Sequence, residues 1–198
     1  MSDIGALDAA GGPEANAVAV AAWARSATES VEQEDVLRPV VVVIDGPAGA
    51  GKTTLAQLVS MELDDAPIVH MDDLYPGWDG LIKGMSLLVH KVLRPASRGD
   101  RAWYARYDWV AEDYAETVIV PEHPYLIIEG VGSGCGGARE YADVRIWLDA
   151  AATVRRARAM NRDNGDFGPH WDQWARQERE IFDAEPLTDR AHLVIETD

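Results

Sequence analysis

Five short apolar runs divide the chain. The first, Val40-Val41-Val42-Val43-Ile44, is unbroken and wholly β-branched. A strand covered on both faces in a parallel sheet has this pattern. Tyr125-Leu126-Ile127-Ile128 and Val144-Arg145-Ile146-Trp147-Leu148 resemble it, with shorter runs at Pro67-Ile68-Val69-His70-Met71 and His192-Leu193-Val194-Ile195. Helical stretches are predicted between them, over about 52–64, 80–94, 152–163 and 170–183. Leu81, Met85, Leu88, Val89 and Val92 give the second of these an apolar face. Strands alternating with helices predict an α/β fold on a parallel sheet. Residues 16–35 form a further expected helix, with Val18, Ala21, Ala22 and Arg25 at helical spacing and Glu32, Glu34 and Asp35 at its end. Residues 1–15 read as a mobile tail, and 95–121, rich in Trp, Tyr and Arg, shows no clear period.

With 198 residues the chain is one domain by length, preceded by a tail and helix over 1–38. Basic residues number 18 against 34 acidic ones, a net charge of −16. Such a chain is a poor general binder of nucleic acid or anionic membrane. The single cysteine, Cys135, excludes an intrachain disulfide and a cysteine-only zinc site, and fits a reducing cytoplasm. No apolar run reaches the length of a membrane span, and the amino terminus lacks the pattern of a secretory signal.

Directly after the first strand comes Gly46-Pro47-Ala48-Gly49-Ala50-Gly51-Lys52-Thr53-Thr54. This is G-x-x-x-x-G-K-[ST] between a strand and a helix, the setting that the motif requires. The glycines let the backbone curl with its N–H groups inward, and that nest and the helix N-terminus attract phosphate oxygens. Lys52 supplies a positive charge to the β- and γ-phosphates, and the Thr53 hydroxyl is a ligand for Mg²⁺. ATP and Mg²⁺ are therefore the expected cofactors.

Carboxylates follow two other strands. Met71-Asp72-Asp73-Leu74-Tyr75 ends the second, and Ile127-Ile128-Glu129-Gly130 ends the third. In an open parallel sheet these carboxyl ends face the ligand crevice. Asp72 can there accept a hydroxyl proton, and Glu129 can help to hold Mg²⁺. Arg155, Arg158 and Arg162 lie on one stripe of the helix after the fourth strand, where guanidinium groups can clamp a transferring phosphate. The chain holds seven Trp, several of them flanking the expected cleft, and aromatic faces suit a flat acceptor. Tyr107 and Asp108 are the preferred acceptor contacts, with Arg106 beside them and Tyr75 and His170 as weaker candidates. Gly132-Ser133-Gly134-Cys135-Gly136-Gly137 reads as a flexible loop.

Taken together these residues resemble the uridine kinase group of P-loop kinases. The loop Gly46–Thr54 matches. Asp72-Asp73-Leu74-Tyr75 is similar to the family's D-x-F-Y, Glu129-Gly130 to its strand-end E-G, and Arg155-Arg156-Ala157-Arg158 with Arg162-Asp163 to its lid pattern. Ala191-His192-Leu193-Val194-Ile195 resembles the last strand, and the matches span 40–195. The resemblance implies a five-stranded parallel sheet of order 2-3-1-4-5, an acceptor-binding insert at about 74–121 and a mobile lid at about 155–170. It implies Asp72 as base and Arg158 and Arg162 as lid arginines. One segment departs from the family. After Tyr107-Asp108 the family carries a His and an Arg that read the nucleoside, whereas this chain has Glu112 and Tyr114.

The expected activity is thus ATP·Mg²⁺-dependent transfer of the γ-phosphate to a hydroxyl of a small molecule, with a nucleoside foremost. Nucleoside monophosphates, pantothenate-like alcohols and sugars remain alternatives, as does an ATPase switch acting on a protein partner. A homodimer is an open possibility.

Overall fold

The computed structural model describes residues 12–32, 38–162 and 166–197. Of the tail expected over 1–15, residues 1–11 lie outside the described residues, as do the acidic pair Glu34 and Asp35 and Asp163 of the lid pattern, whereas residues 12–15 are not tail but the first turn of a helix. Five parallel strands form the main sheet: β1 (Val40–Asp45), β2 (Ile68–His70), β5 (Tyr125–Glu129), β6 (Val144–Asp149) and β7 (Leu193–Glu196), in the order β2-β5-β1-β6-β7. Counting only these five, the order is 2-3-1-4-5. Central β1 pairs Val40 with Tyr125 and Ile44 with Glu129 on one side, and Val42 with Val144 on the other.

The uniform apolarity of β1 has a direct cause. Val40, Val42 and Ile44 face one buried cluster, and Val41 and Val43 face another. The first lies under α1 (Gly12–Glu32) and α2 (Lys52–Glu62). The second lies under the segment that follows β2 and under α6 (Trp171–Ala184). Both faces of the strand are dry, so its side chains are apolar without alternation.

The helix α1 packs in the same layer as α2, but by a different stripe from the one expected. Ala17, Val20, Ala21, Ala24 and Val31 are buried, whereas Val18, Ala22 and Arg25 are exposed. Alanine occurs all around this helix, so its sequence gives little contrast between faces. The helix expected over 80–94 is present in three parts. A first stretch, α3 (Leu81–Leu87), widens into a π-turn at Leu88–Leu93 and closes as α4 (Arg94–Ala96). Pro95 lacks an N–H and crowds the carbonyl four residues back, and the wider turn relieves that conflict. Leu81, Leu88 and Val92 are fully buried, as their spacing requires.

The stretch that lacked a period is an antiparallel hairpin, β3 (Trp103–Asp108) and β4 (Asp113–Ile119). Its outer strand is exposed at nearly every residue, so no apolar–polar alternation marks it. The helix α5 (Ala152–Arg162), which carries Arg155, Arg158 and Arg162, follows β6. Among the described residues no helix is long and apolar enough to cross a membrane.

Candidate active site

The carboxyl ends of β1, β2, β5 and β6 open into a cleft of about 1320 Å³. The loop between β1 and α2 forms its floor, and Ala48 through Thr54 line it. Gly46 lies at φ 140°, and any Cβ there would overlap the Leu148 carbonyl. Gly49 lies at φ 81°, against the Arg155 backbone. These two close approaches account for glycine and press the loop onto β6 and α5. Lys52 is buried and donates to the Pro47 carbonyl at 2.9 Å, curling its ammonium back over the loop.

Thr53 and Glu129 come together as expected, with Oγ1 of Thr53 donating to Oε1 of Glu129 at 3.1 Å. The same Glu129 oxygen meets Nδ1 of His70 at 2.6 Å. That hydrogen bond, with the surrounding carboxylates, raises the His70 pKa. His70 was not singled out in the sequence, although its place at the end of β2 is where a cleft residue would be sought. No group of three or more His, Cys, Asp or Glu side chains suited to a metal occurs among the described residues. The hard hydroxyl and carboxylate oxygens of Thr53 and Glu129 nevertheless fit Mg²⁺ that arrives with a triphosphate, since such an ion keeps waters and phosphate oxygens as most of its ligands.

Asp72 sits in the 3-10 turn Met71–Asp73 and opens onto the cleft. The residue is exposed to the cleft, and partial desolvation by the surrounding protein, with the Glu129 charge, raises its pKa. Arg162, Lys52 and His70 act in the opposite direction. Arg158 and Arg162 also line the cleft. Arg158 donates to Thr197 Oγ1 at 2.8 Å, and Thr197 in turn donates to the Ala50 carbonyl at 2.9 Å. Arg155 diverges from this pair. It lies 3.3 Å from Asp149 and donates to the carbonyls of Ala150 and Ala48, bracing the loop from behind.

The acceptor contacts expected from the sequence scatter. Tyr107 and Arg106 line the cleft, but Arg106 forms a two-pronged pair with Glu116, at 2.7 and 3.1 Å. Asp108 instead caps the hairpin turn, accepting from Val110 and Ala111 N–H, and these bonds lower its pKa. Tyr75 is fully buried and donates to the Val131 carbonyl at 2.7 Å, so it serves the core and not the cleft. The aromatic wall comes from residues far apart in sequence. Trp78 stacks on His170 at 4.3 Å and on Phe167 at 5.1 Å, and meets Trp109 at 4.7 Å. Trp109 Nε1 donates to the Asp72 carbonyl at 2.9 Å, which joins this wall to the expected base.

The glycine-rich loop after β5 corrects another expectation. It is not flexible, because residues 131–135 are buried. Asp45, the last residue of β1, accepts from Gly46 and Gly132 N–H through one oxygen and from Gly134 N–H through the other, at 2.7–2.9 Å. Asp45 thus clamps the start of the phosphate loop to the glycine-rich loop that follows β5. Cys135 lies against the same carboxylate, and burial pushes its thiol pKa up.

Burial raises the Asp45 pKa to about 6, outweighing the three N–H bonds and the Lys52 charge. A carboxyl whose folded pKa lies above its unfolded value holds its proton longer in the native state. Its contribution to stability is therefore full at low pH and is lost as pH rises through about 6. The loss amounts to about 2 kcal/mol between pH 4 and 7. His70, whose pKa is also raised, has the same sign. Denaturant midpoints across this range should fall with rising pH, and Asp45→Asn should flatten that slope. An equal slope in the variant would remove Asp45 as its source.

The five-stranded order, the phosphate loop and the cleft above the strand ends define a P-loop kinase-type α/β fold. The chain matches no family model and no curated protein. Among solved structures it is similar to a possible uridine kinase from Bacillus stearothermophilus, with a TM-score of 0.58 and 20% identity, covering 87% of this chain and 97% of that one. It is also similar to a provisionally assigned fructose transport system kinase from a Silicibacter species, with a TM-score of 0.52 and 21% identity, covering 89% and 98%.

Proposed function

We propose that the chain transfers the γ-phosphate of ATP to a hydroxyl of a small, non-phosphorylated molecule, a nucleoside being the first candidate. The observation that carries this reading is the placement of Asp72 in one cleft with the phosphate loop, Glu129, Arg158 and Arg162. In this reading Lys52 and the loop amides hold the triphosphate, and Asp72 accepts the acceptor's hydroxyl proton. Its raised pKa makes it a better proton acceptor than an ordinary aspartate. Arg158 and Arg162 balance the charge that develops on the moving phosphoryl group. Mg²⁺, held through Thr53 and Glu129, would neutralise charge on the β- and γ-phosphates when bound.

The surroundings favour an uncharged acceptor over a monophosphate. Arg106 is paired with Glu116, and Arg101 lines a separate cavity of about 630 Å³ at the amino-terminal ends of β1 and β5, away from the cleft. On the acceptor side the cleft presents Asp72, Asp73 and the rings of Trp78, Tyr107 and Trp109. Carboxylates repel a phosphate, whereas they accept hydrogen bonds from hydroxyls, and rings stack on a base or sugar.

The test is ADP release from ATP and Mg²⁺ across nucleosides, nucleoside monophosphates, pantothenate and simple sugars, with an acceptor-free control. Strong stimulation by a non-phosphorylated compound is the expected result. Stimulation only by monophosphates would overturn the acceptor assignment. Release of ADP that no acceptor increases would favour the switch reading.

A further inference from the structure

Glu178 is a buried carboxylate that the proposed chemistry leaves unused. It is 4% exposed, in the middle of α6, and so is among the few buried charged side chains of the described residues. Its Oε1 accepts the Ala48 N–H at 2.7 Å, a bond that spans 130 residues. Burial raises its pKa, and the Ala48 N–H, Lys52, Arg155 and the Trp174 indole oppose that rise.

The helix that carries it is itself fixed. Gln173 donates to Asp79 at 2.6 Å and Gln177 to the Trp78 carbonyl at 2.7 Å. Trp174 packs edge-on to Tyr75 at 5.0 Å. Residues three and four apart share a helix face, so α6 meets the insert through 173, 174 and 177, and the phosphate loop through 178. A carboxylate with nine-tenths of its surface covered is costly to keep in place. Here that cost is offset in part by the bond the carboxylate accepts from a loop amide.

The geometry points to Glu178 as a positioning residue, whose carboxylate holds the amino-terminal half of the phosphate loop in its binding shape from α6. This inference rests on the phosphate-loop reading above. The loop needs its amides converged before a phosphate arrives, and a loop that must first be ordered binds more weakly. Glu178 does not touch the phosphate in this role. It acts through the Ala48 backbone.

The experiment measures ADP affinity of the full chain by titration calorimetry for wild type, Glu178→Ala, Glu178→Gln and Lys52→Ala, with a thermal midpoint for each. Glu178→Ala should weaken ADP by about tenfold, the scale of one buried charge-assisted hydrogen bond. Glu178→Gln keeps an acceptor oxygen and loses the charge, and should stay within about threefold of wild type. A merely structural role would track the thermal midpoint and would show no such rescue at matched stability. Wild-type affinity in Glu178→Ala overturns the proposal, as does a Gln variant as weak as the Ala variant. If Glu178→Ala does not fold, Glu178→Asp takes its place, drawing the carboxylate back by one methylene. Unchanged ADP affinity in that variant also overturns it. Lys52→Ala separates the two levels: wild-type ADP affinity there would bring down the phosphate-loop reading itself.

Discussion

Asp72→Asn is expected to reduce acceptor-stimulated phosphoryl transfer by about a thousandfold, the usual scale for loss of a positioned general base. Asn keeps the shape and polarity of the side chain and cannot take the proton. Nucleotide binding should survive, because the proposed function assigns the contacts to ATP to the loop and not to Asp72. Stability should hold or rise slightly at neutral pH. The ionised carboxylate is opposed by partial desolvation and by Glu129, solvent at its exposed face screens both effects, and the amide removes what remains. The decisive comparison is the transfer rate with the best acceptor beside ADP affinity in the same variant. Transfer within a few-fold of wild type would exclude Asp72 as the base. Loss of both transfer and ADP affinity would show that the substitution disturbs the loop.

Lys52→Ala is expected to weaken ADP by about a hundredfold, since the proposed function assigns Lys52 the charge that meets the phosphate oxygens. The structure adds a second consequence. Lys52 lowers the pKa of both Asp45 and Glu178. Without it, two buried carboxylates lose a balancing cation, so the variant should unfold more easily at pH 7. The deficit should shrink near pH 5.5, where Asp45, with its pKa near 6, takes up a proton. Denaturant midpoints at the two pH values check this. A midpoint that drops equally at both would show that Lys52 stabilises through packing of its stem and not through charge.

Local pattern made the sheet legible. Five apolar runs became five parallel strands, each within one or two residues of its expected bounds. Burial on both faces demands unbroken apolarity, and that survives as a signal in a short window. The β3–β4 hairpin gave no such signal because its outer strand is solvated on both faces. The stripe of α1 was misplaced for a related reason, since small residues surround the whole helix.

For the candidate site, the sequence by itself determined where the glycine-rich loop and the strand-end acids Asp72 and Glu129 fall, and the fold puts them on one cleft. Their chemistry depends on position relative to a single strand, and chain order supplies that. Tertiary structure alone decided everything that depends on convergence. It buried Tyr75 in the core and turned Asp108 into a turn cap. It paired Arg106 with Glu116 and drew Arg155 behind the loop. It also brought in Asp45, His70 and Glu178, whose partners lie 87, 59 and 130 residues away. A side chain's hydrogen-bonding capacity is written in its residue type, but its choice of partner is made by packing. Burial removes water as the alternative partner, and only the folded chain determines which groups are buried together.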